Sequence, residues 1–358
     1  MTFFFDCRFI RVDHHDGISR FSSELFSAVS KKSNVTALVC DKNQLNALPE
    51  GTEHLLVSDP KNPLLELLLP RKLNKLGATV VFSPMQTMGS VGKQYKLILT
   101  LHDLIYYNHR KPPGLLAWPI RLAWRLFHLS FTPVRILLNR AEAVVTISET
   151  TRSLIRANHL TRKPVRVVHN ASSMPFVSSS KTEPKSRNLI YMGSFMPYKN
   201  VEVLIESMKS LPDFTLTLCS KISKKRKDQL LSGLAPEVTS RITFANGVSE
   251  SEYQQLLDES FALVSASKDE GFGIPVIEAM SRSIPVVVSD IPIFQEVAGE
   301  AGNFFTPTSS IEFGEVVASL TSRDSWREAS RKSLVQSKLF DWNESASQLL
   351  NVVDELRG

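Results

Sequence analysis

Cysteine is scarce in this sequence. Its 358 residues include three, Cys7, Cys40 and Cys219, far apart, with no CxxC pair and no Cys/His cluster at zinc-ligand spacing. That excludes a disulfide framework and a structural zinc site. Scattered thiols suit a reducing cytosol, where each acts as a small core hydrophobe. Long apolar runs are also missing: none reaches the ~18 residues that span a bilayer. The opening MTFFFDCRFIR is apolar only as far as Asp6 and has no signal-peptide character. The expected location is therefore cytoplasmic, with any membrane contact peripheral. Charge of one sign is barely in excess: 42 Lys and Arg stand against 36 Asp and Glu, a net +6 with pI of about 9.1. That surplus permits an anionic partner without selecting one. No short-period repeat is present.

What is present is ordinary globular material, 42% hydrophobic and 22% charged. At ~100–200 residues per domain, two domains are expected. Strand-like and helix-like segments alternate from end to end. TFFFDCRFI reads as a first strand, and GISRFSSELFSAVSKK then places Ile18, Phe21, Leu25 and Val29 at helical spacing. NVTALVC, HLLVS, ATVVFS, KLILTLHD, AEAVVTIS and VRVVHN follow as short apolar runs, with helices expected at 64–76, 115–139 and 149–158. Such unbroken runs belong to parallel strands buried on both faces. SSMPFVSSSKTEPKSR, 172–187, has little to bury and reads as a linker. The alternation then restarts at NLIYMG and continues through IPVVVSD. The fold class predicted is α/β: two doubly wound, Rossmann-like domains at 1–172 and 188–338, a linker at 173–187, and a docked terminal helix within 339–358.

Three strand-to-helix turns carry candidate chemistry. In FALVSASKDEGFGIPVIEAMSR, Glu270, Gly271, Phe272 and Gly273 form a turn before a helix that begins near Ile274–Pro275 and contains Glu278. Two glycines let backbone N–H groups approach a ligand, and a helix N-terminus favours an anion. Alternatively, Gly271 and Gly273 make only a tight turn and the glutamates are solvated. In YMGSFMPYKNVEVLIESM, Lys199 precedes a helix, where its charge opposes the dipole. A phosphate between lysine and backbone would explain it; a solvated surface lysine is the plainer reading. In the first half, Gly17 stands at a strand-to-helix turn, and His102 and Asp103 stand where a strand runs out. A histidine there could hydrogen-bond a substrate hydroxyl, change charge near pH 7, or be structural.

The ordered set DGISR, LHD, TISETTRSLI, VVHN, YMGSFMPYKN and EGFGIPVIEA resembles the retaining family 4 glycosyltransferases, which have the GT-B fold. The match runs over nearly the whole chain, and Glu270 and Glu278 reproduce that family's glutamate pair with seven residues between them. FDWNESASQLL resembles the final helix that returns to the first domain, and the two domains are expected to face a central cleft. The resemblance implies roles. Gly17 lets the first loop approach the donor diphosphate, His102 contacts the donor sugar, and Lys199 neutralises the diphosphate with Ser194 beside it. Glu270, Gly271, Phe272 and Gly273 hold the transferring sugar, and Glu278 bonds the ribose hydroxyls. Two departures stand out: Ser19 where members often carry a second glycine, and Ser194 or Tyr198 where many carry a basic residue. Arg20 is a candidate replacement for the missing basic contact.

The implied partners are a nucleotide diphosphate sugar, with GDP-mannose suggested by likeness to bacterial mannosyltransferases, and a glycan or lipid-linked acceptor; no nucleic acid is expected. No Asp-x-Asp occurs, so Lys199 and helix amides are expected to meet the leaving charge without a metal or other cofactor. The acceptor would enter on the leaving-group face, with the leaving phosphate as base. The segment 112–140 mixes tryptophan and phenylalanine with arginine, which suits an anionic membrane surface, with Arg121, Trp124 and Arg125 as contacts. A core helix with a wet arginine face is the alternative. An inactive nucleotide-sugar-binding partner subunit of the same fold is the other reading of the whole, and donor hydrolysis by pure protein would separate the two.

Overall fold

The computed structural model describes residues 2–12, 16–110 and 118–358. The start of the basic and aromatic segment, 112–117, lies outside the described residues. The chain divides into two units, Met1–Asn170 with Asp341–Gly358, and Ala171–Phe340.

The first unit is built on seven strands: β1 (Thr2–Asp6), β2 (Thr36–Val39), β3 (His54–Leu56), β4 (Ala78–Ser83), β5 (Lys96–Thr100), β6 (Ala143–Thr146) and β7 (Val165–Val167). All neighbours run parallel in the order β3-β2-β1-β4-β5-β6-β7. Phe3, Phe4 and Phe5 of β1 are all buried, which an alternating half-exposed strand could not satisfy. Phe5 meets Phe26 edge-on at 5.4 Å and Phe82 at 4.7 Å, joining strand to helix Gly17–Ser30. The terminal helix Trp342–Arg357, capped by Asp341, belongs to this unit. Trp342 lies 6.2 Å from Phe21, and the Lys32 amine donates to Ser347 at 2.8 Å, so this helix packs along Gly17–Ser30.

The second unit holds β8 (Asn188–Tyr191), β9 (Thr215–Leu218), β10 (Ile242–Phe244), β11 (Ala262–Ser265), β12 (Val286–Ser289) and β13 (Gly302–Phe305), in the parallel order β10-β9-β8-β11-β12-β13. Strand order reverses between β8 and β11, as it does between β1 and β4 in the first unit. Such reversals part the loops at the carboxyl edge and leave room for a ligand.

Residues 173–187 contain neither strand nor helix, yet they are sewn to the second unit. Val177 N–H donates to Ser281, Arg282 donates to the Pro175 carbonyl at 2.8 Å, and Lys181 pairs with Asp258 at 3.1 Å. The single helix expected at 115–139 is two, Trp118–Phe127 and Thr132–Leu138, with Pro119 and Pro133 each in a first turn. Among the described residues no helix is long and apolar enough to cross a membrane. All three cysteines are free, Cys7 and Cys219 buried and Cys40 half-buried.

Candidate active site

In the second unit the loop after β8 is held from several sides. The Tyr191 hydroxyl donates to the Ser194 carbonyl at 2.7 Å, and the Gly193 N–H donates to Ser220 Oγ at 3.1 Å. A side chain at Gly193 would put its Cβ 2.7 Å from Tyr191 Oη and would have to displace that buried ring from its bond to Ser194. The turn Pro197–Lys199 ends at Asn200, whose backbone is left-handed at φ 54°. The buried Asn200 amide donates to the carbonyls of Ala266 and Pro307 at 3.1 and 2.6 Å. One side chain thereby ties this loop to the ends of β11 and β13. Lys268 N–H adds a bond to the Tyr198 carbonyl at 2.8 Å.

This scaffolding delivers Lys199 to Glu270, and the two form an ion pair with each side chain 14% exposed. Ser267 Oγ donates to the same Glu270 oxygen at 3.1 Å. Neither residue is a solvated surface charge. Beyond Glu270 the turn closes through Gly273 at φ 90°, where a Cβ would lie 2.8 Å from the Phe294 ring. Phe272 is anchored inward, edge-on to Phe340 at 5.6 Å, which fixes the backbone on either side of it. Helix Ile274–Ser281 starts there, and Glu278 within it is 2% exposed. A carboxylate so buried is tolerated only with polar partners. Ser194, Lys199, Glu270, Gly271, Phe272, Gly273 and Glu278 therefore all lie on the two loops at the β8/β11 reversal, or on the helix that follows.

Gly17, Arg20 and His102 lie in the first unit. Gly17 opens helix Gly17–Ser30, whose cap Asp16 accepts from Ser19 N–H at 2.9 Å. Ser19, standing where a second glycine was expected, is fully buried and its hydroxyl accepts from Arg11 N–H at 2.9 Å. Arg20 is half-buried on the same first turn. His102 departs from one expectation. Its Nε2 lies 2.7 Å from the Pro84 carbonyl and so carries the proton. Burial lowers its pKa to about 4, against smaller opposing effects of that hydrogen bond and of Asp16. It stays neutral near pH 7, where a charge change had been an open reading, and it presents Nδ1 as an acceptor.

Of the expected membrane contacts, Arg125 is exposed and Arg121 half-buried, but Trp124 is turned inward. Its ring stacks on His128 at 4.1 Å and meets Tyr106 edge-on at 5.2 Å. Trp118, at 75% exposure, is the outward tryptophan.

One buried polar cluster escaped the sequence reading. Arg8, just past β1, donates to Asp6 at 2.7 and 3.0 Å and to the Ser58 carbonyl at 3.1 Å, and pairs with Glu66. Burial opposes its charge, but Asp6 and Glu66 more than offset that and raise its pKa. Its partner Glu66 stands 58 positions away, beyond any local motif.

Comparison with known proteins agrees with this geometry. Residues 176–335 match the family model "Glycosyl transferases group 1", and 45–172 match "Glycosyltransferase Family 4". O-antigen chain mannosyltransferase RfbU of Salmonella typhimurium is 30% identical over 179 residues, 49% of each chain. O-antigen chain mannosyltransferase B of Escherichia coli is 28% identical over 231 residues, 60% of this chain and 61% of that one. GDP-mannose:cellobiosyl-diphosphopolyprenol alpha-mannosyltransferase of Xanthomonas oryzae is 24% identical over 143 residues, 38% of each. The chain spans about half the length of the curated relatives it matches. Among solved structures, Anabaena HepE in complex with UDP-glucose superposes with a TM-score of 0.72 at 17% identity, covering 99% of this chain and 100% of that one. Each half thus matches a glycosyltransferase family model, 45–172 the one and 176–335 the other, and the two parallel sheets in doubly wound order have the GT-B fold of the solved glycosyltransferase structures.

Proposed function

We propose that this protein is a retaining glycosyltransferase that moves mannose from GDP-mannose to a lipid-linked glycan, with the leaving charge met by Lys199 rather than by a metal ion. The observation that carries this reading is the Lys199–Glu270 pair, held in a loop tied to the ends of β11 and β13. Paired with Glu270, the lysine is kept in one place before the donor arrives. A diphosphate would take over its charge, and that contact strengthens as the glycosidic bond breaks, so it favours the transition state over the ground state. Glu270, released from the lysine, would accept from sugar hydroxyls. The N-terminus of helix Ile274–Ser281 adds partial positive charge at Phe272 and Gly273. Glu278 would accept from the ribose, and a neutral His102 suits a hydroxyl rather than a phosphate. The leaving phosphate oxygen would take the acceptor's proton.

Mannose as the sugar is supported by the names of the three relatives; GDP as the base and a diphosphopolyprenol acceptor are supported by the third. The exposed Trp118, Leu122 and Leu126, with Arg125 beside them, support peripheral binding to an anionic membrane. The test is direct. Pure protein with GDP-mannose, EDTA and a polyprenyl diphosphate-linked glycan should release GDP and form an α-mannoside. GDP binding without release of GDP, with acceptor or without, would overturn the enzyme reading in favour of a binding subunit. Release only after a divalent cation is restored would overturn metal independence.

A further inference from the structure

In open α/β sheets a ligand usually sits outside the carboxyl ends of the strands, where strand order reverses. At the β1/β4 reversal of the first unit, the protein's own ions lie buried at those strand ends. Asp6 ends β1, Ser83 ends β4, and Arg8 comes two residues after Asp6. All three are buried, and the Glu66 side chain, on helix Pro63–Lys75, is 10% exposed. Arg8 grips both Asp6 oxygens and turns its remaining nitrogen to Ser58 and Glu66. Such a group is a poor source of stability, because burying ions costs desolvation and apolar side chains of similar volume often serve a core as well. What a forked, fully bonded guanidinium supplies is direction.

The bonds that leave this group lead to His102. Asp6 Oδ2 accepts from Ser83 Oγ at 3.0 Å, and the Ser83 carbonyl accepts from Thr100 Oγ1 at 2.9 Å. The next residue is Pro84, whose carbonyl accepts the His102 Nε2 proton at 2.7 Å. Glu66 Oε2 accepts from the Gly89 N–H at 3.1 Å, at the far end of the same loop. Gly89 lies so near the Glu66 backbone that a Cβ there would fall 2.0 Å from its carbonyl oxygen. Loop 84–89 is thus pinned at both ends by the two carboxylates that Arg8 joins. The Pro84 carbonyl fixes the proton on Nε2 and leaves Nδ1 as an acceptor, so the place of this loop sets what the ring can offer.

We propose that Asp6, Arg8 and Glu66 are positioning residues for His102: by holding loop 84–89 they keep its proton on Nε2 and its Nδ1 ready for a hydroxyl of the donor sugar. The sugar's part rests on the transferase reading above; the tautomer rests on the geometry alone.

The test uses the full chain and two readouts. Nitrogen-15 spectra report the His102 tautomer, its signals assigned by their loss in His102→Gln. Steady-state transfer from GDP-mannose gives kcat, with GDP affinity measured by calorimetry. Ser83→Ala cuts the link from Asp6 to the loop and leaves the ion group whole. It should give mixed tautomers and lower kcat roughly fivefold, the scale of one neutral hydrogen bond. GDP affinity and the denaturant midpoint should stay close to the parent's. In a His102→Gln background Ser83→Ala should lower kcat no further, because the two act as one unit. Asp6→Asn, Arg8→Met and Glu66→Gln together remove the charges at similar volume. That folded variant should lose roughly 30-fold in kcat, the scale of a charged hydrogen bond, again with parental GDP affinity. A single Nε2–H tautomer in folded Ser83→Ala would overturn the proposal, whatever the triple variant does. So would an equal fall in kcat in both His102 backgrounds, which a purely structural role would produce. If the parent transfers no mannose, the transferase reading fails, and the tautomer in Ser83→Ala still decides the positioning.

Discussion

The carboxyl edges of the two sheets are made of different materials. At the β8/β11 reversal the second unit presents serine, asparagine, lysine and glutamate, with Ser220, Asn200, Ser267, Lys199 and Glu270 all held by hydrogen bonds or an ion pair. Beside β5 the first unit presents tyrosine, tryptophan, phenylalanine and a neutral histidine around open volume. The same doubly wound scaffold supports both. Charge must be placed to within a fraction of an ångström to act on a developing charge, so its loops are sewn down. An open apolar volume needs no such placement, so rings packed on one another suffice to line it.

The largest expected break in this contrast comes from Lys199→Ala, which removes the cation from the sewn loop. Turnover should fall by ~100-fold or more, the scale of losing one transition-state donor. A single-turnover rate equal to the parent's would show that the loop's order serves something else. On the other edge, Arg121→Ser with Arg125→Ser should weaken binding to anionic vesicles. At ~1 kcal/mol for each cation near the surface, the pair amounts to roughly 30-fold. Co-sedimentation at low salt measures it, and neutral vesicles should show no such change. Glu278→Gln retains shape but turns a charged acceptor into a neutral one. GDP affinity should drop roughly tenfold by calorimetry, the difference between charged and neutral hydrogen bonds.

The smallest effect concerns His102. Its folded pKa of about 4 lies below the ordinary 6.5, so as pH falls through that window the unfolded chain takes up the proton first. Stability contributed by the neutral ring is present above pH 6.5 and is lost progressively down to about 4. Denaturant titrations of the first unit should weaken over that range, and His102→Gln should flatten the slope.

The sequence made some of this plain and hid the rest for physical reasons. Unbroken apolar runs such as VVFS and VVVS announce parallel strands, and EGFGIPVIEA announces its own turn, because each is local. Strand β13, GNFF, is too short and too mixed to stand out. Helix Arg323–Ser337 shows no apolar stripe because much of its buried face is serine: Ser330 exchanges hydrogen bonds with Ser283, and small side chains let the backbones approach closely. Lys199 and Glu270 were legible as residues, but not as partners. Their meeting depends on Asn200, Tyr191 and Gly193, whose roles exist only once distant strands are side by side. Trp124 was read by composition as outward-facing, and only the ring of His128 four residues on shows why it turns in.

The cysteines, so few at the outset, give each unit its own clock. Burial, with Asp6 adding to it, pushes the Cys7 thiol well above its usual range, and burial alone pushes Cys219 up to about 12. Thiolate is the reactive form, so neither is available to an alkylating reagent while its unit stays closed. Cys7 belongs to the first unit and Cys219 to the second. With half-buried Cys40 replaced by serine, the rate at which each remaining thiol becomes labelled would time the opening of one unit independently of the other.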